Sequence, residues 1–326
     1  MSDTVSFNSR TDLTKIKDAL QAIKNEMSKV IVGQEEMIDQ VLIALMANGH
    51  ILLEGVPGVA KTLTAKVLAY CINSDFSRIQ FTPDLMPSDI TGTSVYNNKK
   101  SDFEFKEGPV FSNLVLVDEI NRAPAKTQSA LLEVMEEKQV TVDGTTYKMN
   151  EPFMVLATQN PIEYEGTYRL PEAQIDRFLF KIKVGYPELD EEINILEKQN
   201  ERKGFDQLKE IKKIIKGKDI VKLKAISQSI HVDEKLQKYI AEIVIKSRNH
   251  SDLYLGGSPR ASLAIMEGAK AYSILMGRDF VKPDDIQYIA YPALRHRFIL
   301  TPEKEMEGKT PEDVIKDIIA SIEVPR

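Results

Sequence analysis

Gly55-Val56-Pro57-Gly58-Val59-Ala60-Lys61-Thr62 lies between an apolar run, His50-Ile51-Leu52-Leu53-Glu54, and a segment of helical spacing, Leu63-Thr64-Ala65-Lys66-Val67-Leu68-Ala69. The run predicts a buried strand and the segment a helix, so the glycines fall in a strand-to-helix turn. Gly55 and Gly58 let the backbone curl until several N–H groups point at one phosphate, and the helix N-terminus adds partial positive charge. Lys61 contributes a full charge, Thr62 offers a hydroxyl to Mg²⁺, and Leu63 carries the loop into the helix. These are the parts of a P-loop. The third glycine of the strict pattern is replaced by Ala60, which is expected to stay helical and to block no donor.

Leu114-Val115-Leu116-Val117-Asp118-Glu119 ends an aliphatic run in two carboxylates. Such a run suits a strand buried on both faces of a parallel sheet, with its end at the carboxyl edge where open α/β sheets bind ligands. Asp118 is then placed to hold the Mg²⁺ that Thr62 also touches, and Glu119 to take a proton from water attacking the γ-phosphate of ATP. A second buried strand, read over Pro152 to Pro161, ends in the polar Asn160. Its amide is expected beside the end of the Asp118 strand, orienting the water or touching the γ-phosphate.

Together with Phe81-Thr82-Pro83-Asp84-Leu85-Met86-Pro87-Ser88-Asp89-Ile90-Thr91-Gly92 and Asp118-Glu119-Ile120-Asn121-Arg122-Ala123-Pro124-Ala125-Lys126-Thr127-Gln128, these motifs resemble the MoxR family of AAA+ ATPases, over about Val32 to Pro292. The resemblance implies a P-loop NTPase αβα core with a five-stranded parallel sheet and a C-terminal all-helical lid. Alanine at the Ala60 position is common in that family. By the same resemblance, the Val32-Gly33-Gln34 turn lies against adenine and Asn160 matches the sensor-1 asparagine. Arg177 becomes the arginine finger that reaches a neighbouring subunit's γ-phosphate, and Arg260 the sensor-2 arginine that contacts phosphate from the lid of its own subunit. The family expectation is a homo-oligomeric ring, a hexamer, acting on protein substrates, with von Willebrand factor A-domain proteins among the partners.

The 326 residues favour two domains, and 42% apolar content suffices for real cores. The single Cys71 excludes an intrachain disulfide and fits a reducing compartment, the cytoplasm. Met1 to Phe7 has no basic region followed by a hydrophobic core, and no window approaches the length of apolar chain that spans a bilayer, so neither a targeting segment nor membrane association is expected. A net charge of −6 argues against global attraction to nucleic acid.

Asp12 to Val30 places Leu13, Ile16, Leu20, Ile23, Met27 and Val30 at amphipathic helix spacing. Thr91 to Lys106 alternates around the polar tip Asn97-Asn98-Lys99-Lys100, and Gln139 to Met149 alternates around Asp143-Gly144, which predicts two β-hairpins. Both are similar to the hairpins of the helix-2-insert branch of AAA+ proteins, which project into the ring's opening. Gly185-Tyr186-Pro187-Glu188 is the predicted boundary, dividing a core at 1–186 from a lid at 187–326. Lys198 to Lys224 is lysine-rich, but Glu201, Asp206, Glu210 and Asp219 are interspersed and aromatic residues are nearly absent. A solvated helical face is expected there rather than a nucleic-acid surface. Ser258 and Pro259 predict a capped helix start, where Arg260 opposes the helix dipole and so suggests a bound anion nearby.

Rival functions share only part of this set. A small-molecule kinase has little need of Glu119 beside Asp118 and leaves Asn160, Arg177 and Arg260 unexplained. A GTP switch needs a guanine reader, and Asn98-Lys99-Lys100-Ser101 lacks the terminal aspartate. A nucleic-acid motor shares the AAA+ parts and is opposed by the acidic balance and the family match.

Overall fold

A computed structural model describes residues 13–161, 168, 170–202 and 207–325, those of 201 and 202 by backbone alone. Met1 to Phe7, Asp12, Asp206 and the Glu201 side chain, all used above, lie outside the described residues. Helix α1 (Thr14–Val30) buries Leu20, Ile23, Met27 and Val30, as its spacing requires. Helix α2 (Glu35–Met46) is buried almost all round. Strand β1 (Ile51–Gly55) then leads through the glycine turn into α3 (Lys61–Cys71). Next come β2 (Phe76–Gln80), the short α4 (Pro87–Thr91), the hairpin β3 (Gly92–Asn97) and β4 (Asp102–Glu107), and β5 (Leu114–Asp118). Helix α5 (Ala125–Glu137) runs into a second hairpin, β6 (Gln139–Val142) and β7 (Thr145–Lys148), followed by β8 (Met154–Gln159), α6 (Glu172–Ile175) and β9 (Phe180–Val184).

The core sheet has the order β2-β5-β8-β1-β9, with every pairing parallel. Four aliphatic residues of β5, Leu114 to Val117, are fully buried because β5 has strands on both sides and packing on both faces. Each such side chain contributes roughly 1.5–3 kcal/mol relative to exposure. Cys71 is buried at the end of α3, and burial pushes its thiol up to about 12.

Both hairpins form where the alternation places them. Asp143 and Gly144 have φ of +50° and +79°, the paired left-handed geometry of a tight two-residue turn. Gly92, at φ +94°, sits where a Cβ would be 2.3 Å from the Lys106 carbonyl oxygen, so the base of the first hairpin closes only around glycine. The hairpins lean on one another: Phe105 stacks on Tyr147 at 4.3 Å between centroids, and Ser94 Oγ donates to Asp143 at 2.5 Å.

After β9 the chain forms α7 (Leu189–Arg202), α8 (Gly217–Ser229), α9 (Glu234–Arg248), α10 (Pro259–Leu275), α11 (Pro283–Leu294), α12 (Pro302–Met306) and α13 (Pro311–Ala320). A short antiparallel ribbon, β10 (Leu253–Leu255) with β11 (Ile299–Leu300), is added to these helices. Helices α8 and α10 pack on α2, and α11 on β9, so one hydrophobic core runs from the sheet into the helical region. Among the described residues of the lysine-rich stretch, Lys212, Lys213, Lys216, Lys218 and Lys222 are exposed, while its end turns inward where α8 packs on α2. Lys224 is buried, donates to Asn48 Oδ1 at 2.6 Å, and is pushed down to about 8 by desolvation.

His50 supplies a pH test of this packing. Its Nδ1 accepts from the Val155 N–H at 2.9 Å and its Nε2 pairs with the Met135 carbonyl at 3.0 Å, an arrangement that uses a neutral ring. Burial depresses its pKa from 6.5 to about 4. Between those values the unfolded chain binds the extra proton, so this stability is complete above pH 6.5 and is lost as the pH falls toward 4. The loss amounts to about 3 kcal/mol over the window. Buried His296, also pushed well down by desolvation, adds in the same direction. Urea unfolding at pH 7 and 4.5 should show a smaller pH dependence for His50→Gln than for the parent; equal dependence would remove His50 as the cause.

Candidate active site

The carboxyl edge of the sheet collects most of the residues singled out by sequence, though not Arg177 and Arg260. A cleft of about 340 Å³ is lined by Pro57, Gly58, Ala60, Lys61, Thr62, Leu63, Asp118, Glu119, Thr158 and Asn160, together with Arg78 and Gln80. Gly55 ends β1 in register with Val184, whose carbonyl oxygen would meet a Cβ there at 2.5 Å. Val59 is buried and Val56 packs against the core, so the loop is anchored by its apolar members. Gly58 has φ +92° and open space where a Cβ would point. Ala60 is not helical, as the sequence reading had it, but left-handed at φ +60°, ψ +15°. That conformation costs a non-glycine residue roughly 1–2 kcal/mol, the physical reason glycine is usual there. Left-handed residues at Gly58 and Ala60 are the backbone form in which successive N–H groups can converge on one anion, just ahead of α3, whose first N–H groups have no intrahelical acceptors. Lys61 lies across this loop with its Nζ on the Gly55 carbonyl.

Thr62 Oγ1 lies 3.4 Å from Asp118 Oδ2. Two hard oxygens facing a phosphate cradle fit a small divalent cation such as Mg²⁺. Arg78 Nε sits 2.6 Å from the same Asp118 oxygen, supplying countercharge at that position. Thr158 ties the pair of carboxylate residues together: its hydroxyl lies 3.2 Å from Asp118 Oδ1 and accepts from the Glu119 N–H at 3.0 Å. Glu119 itself is left-handed, at φ +58°. Gln80 Nε2 at 2.7 Å and Arg122 Nε at 3.2 Å hold one of its carboxylate oxygens, so the side chain is oriented from two sides. Sequence reasoning missed Arg78, Gln80 and Thr158. A signal existed in their i, i+2 spacing on β2 and in the β8 sequence, but only the strand order shows that β2 borders β5.

Asn160 follows β8, which pairs with β5 on one side and β1 on the other, and is buried in the cleft. The Val32-Gly33-Gln34 turn lies at the same edge. Gln34 Nε2 donates to the Gly185 carbonyl at 3.0 Å, and Gly33, at φ +70°, lies so close to Glu191 that a Cβ would meet Glu191 Oε2 at 2.4 Å.

Arg177 and Arg260 are elsewhere. With all strands parallel, Asn48, Gly49 and His50 before β1 and Leu179 before β9 mark the amino edge of the sheet. These residues line a second cleft of about 240 Å³ with Arg177, Arg260 and Arg297. The five residues of β1 separate the two edges, roughly 15 Å at strand rise. Arg177 donates Nη1 to the Leu132 carbonyl at 2.9 Å, while its buried Nε has no partner among the described residues. Ser258 caps α10 as expected, accepting from the Arg260 N–H at 3.1 Å. The anion that Arg260 pairs with is the Glu136 carboxylate, at 2.6 Å, near the C-terminal end of α5. The expectation that Arg260 reaches phosphate within its own subunit therefore conflicts with this geometry: the lid packs α10 beside the amino edge, away from the glycine loop.

Residues 50–180 match the ATPase family associated with various cellular activities (AAA), and residues 245–318 match the AAA lid domain. Among relatives, the chain is 50% identical to YeaC of Bacillus subtilis, a protein of uncharacterised function, over 92% of each chain. It is 44% identical to Chaperone MoxR1 of Mycobacterium tuberculosis, over 92% of this chain and 81% of that one. A crystal structure of a candidate ATPase from Cytophaga hutchinsonii superposes with a TM-score of 0.89 at 44% identity, covering 97% of both chains. With its parallel sheet, glycine loop, paired carboxylates and helical lid, and with likeness of this degree along nearly its whole length, the chain belongs to the MoxR family of AAA+ ATPases.

Proposed function

We propose that this chain is a Mg²⁺-dependent ATPase that works as a homo-oligomeric ring, a hexamer by family expectation, and uses ATP turnover to remodel or mature other proteins. The observation that carries the reading is the division of the site between two edges: the phosphate cradle with Glu119 at one, Arg177 with Arg260 at the other. A head-to-tail contact lays one subunit's amino edge over the next one's carboxyl edge, and repetition closes a ring. Both arginines then serve the neighbour's nucleotide.

In this assignment Gly55 to Leu63 cradle the phosphates, Lys61 neutralises their charge, and Thr62 with Asp118 hold Mg²⁺, which would screen the phosphate oxygens when bound. Val32, Gly33 and Gln34 border the base. Asn160 orients the attacking water and Glu119 takes its proton, positioned by Gln80 and Arg122. A cytoplasmic setting accords with the single, buried Cys71. Among the described residues, no helix is long and apolar enough to cross a membrane.

Specific ATPase activity should rise with subunit concentration, in step with assembly followed by sedimentation. Constant specific activity from dilute monomer upward would overturn the ring. The hairpins, bound to one another and absent from the cleft lining, are assigned to protein partners rather than to nucleotide. Shortening either tip should leave basal ATPase within about twofold, since no group that binds or reacts is removed. Loss of ATP binding on trimming would place them in the pocket instead. A von Willebrand factor A-domain protein is the first partner to test, and stimulation by DNA or RNA would favour the nucleic-acid motor.

A further inference from the structure

Arg177 is gripped from both sides by a residue of the lid. Arg297, just past α11 and almost wholly buried, donates Nη2 to the carbonyls of Asp176 at 3.0 Å and Phe178 at 2.8 Å, the residues immediately before and after Arg177. Its Nη1 reaches the Leu179 carbonyl at 3.1 Å and also the Ala293 carbonyl, and its Nε pairs with Asp176 Oδ1 at 2.7 Å. The other oxygen of Asp176 accepts from Ser258 Oγ at 2.8 Å, and that hydroxyl in turn caps the N–H of Arg260. A continuous path therefore runs from the backbone around Arg177, through Arg297 and Asp176, to the first turn of the helix that carries Arg260.

We propose that Arg297 and Asp176 are positioning residues that lock Arg177 of the core and Arg260 of the lid into one unit, so that both arginines are presented to the neighbouring subunit in fixed relation. The proposal rests on the ring reading above. A buried ion pair is a poor source of net stability, because desolvation offsets much of the attraction. What this one supplies is geometry. A planar guanidinium fixes the direction of every bond it makes, and lysine cannot span Asp176 and both flanking carbonyls at once. Misplacing a charge-stabilising group by about 1 Å can cost about 10²-fold in rate, so the fork's function is read in turnover and not in nucleotide binding.

The test separates the subunit that donates arginines from the one that holds ATP. Donors carry Lys61→Ala and recipients Arg177→Ala, so activity in mixed rings comes only from a donor's arginines acting at a recipient's pocket. Adding Arg297→Lys to the donor should lower kcat of the mixture by about 10- to 100-fold with KM for ATP unchanged, because the pocket is the recipient's. The same substitution in the recipient should leave the mixture's rate intact, since that subunit's amino edge is silent at the working interface. Equal loss in both placements would reduce Arg297 to a general fold element and overturn the proposal, as would full activity with the substituted donor. If unsubstituted donors fail to restore activity in rings shown to form, the trans reading itself falls, and this proposal with it. Asp176→Asn, which keeps shape and one acceptor, provides the same comparison if Arg297→Lys donors unfold or stay out of rings, as judged by thermal unfolding and sedimentation.

Discussion

Lys61→Ala is expected to abolish ATP binding at concentrations that saturate the parent, whereas Glu119→Gln should keep binding and lose turnover. The two side chains line one cleft but act at different moments. Lys61 extends over the glycine loop, and its charge is needed whenever phosphates are present, before any bond breaks. Glu119 is needed only when water attacks. Its exchange for glutamine preserves side-chain length and a carbonyl oxygen that Gln80 and Arg122 can still hold, so the pocket keeps its shape. Removing a general base costs about 10²–10⁴ in rate. Thermal unfolding distinguishes the variants without any turnover: ATP at a hundred times its Kd stabilises by about 2.7 kcal/mol, present in Glu119→Gln and absent in Lys61→Ala. Equal shifts in both would overturn the assignments.

The parts of the site that sequence made legible are those whose chemistry is local. Gly55 to Thr62 is one turn, and Asp118 with Glu119 one strand end, so spacing alone sets what they can do. Asn160 required only that its strand be parallel and central, which the buried run of β8 implies. What stayed hidden depends on how distant segments pack. Arg78 and Gln80 enter the site because β2 lies next to β5, a neighbour relation that alternation along a strand does not encode. The left-handed backbone of Ala60 follows from closing the loop into the start of α3, a demand of three-dimensional shape that opposes the residue's own preference. Arg260 is the instructive case. Its place in the first turn of α10 suggested a bound anion, but the docking of α10 against α2 sets it against the Glu136 carboxylate of the chain itself, at the amino edge. Lys224 likewise looked like part of a solvated face until α8 packed on α2 and buried it.

Arg177→Ala subunits should bind ATP nearly normally and hydrolyse it very slowly even when fully assembled, and mixing them with Lys61→Ala subunits should restore activity. Arg177 lies across the sheet from its own glycine loop, so deleting it leaves that pocket's contacts untouched. A guanidinium delivered by the neighbour stabilises charge on the transferring phosphoryl group, an effect of about 10³–10⁵ in rate, or roughly 4–7 kcal/mol. Complementation follows from the arithmetic of a head-to-tail ring. An interface works when an Arg177→Ala subunit supplies the pocket and a Lys61→Ala subunit supplies the arginine. With random assembly at equal proportions, about one quarter of interfaces meet that condition, whatever the ring size. If interfaces act independently, activity should therefore peak near equal mixing, at up to about a quarter of the parent's, and fall to nothing at either pure composition. An arginine acting within its own subunit gives no rescue at any ratio, because no single chain then holds both working parts. Mixed rings that form and stay inactive across the whole titration would accordingly return Arg177 to a carbonyl-binding role at Leu132 and remove the ring from the catalytic account.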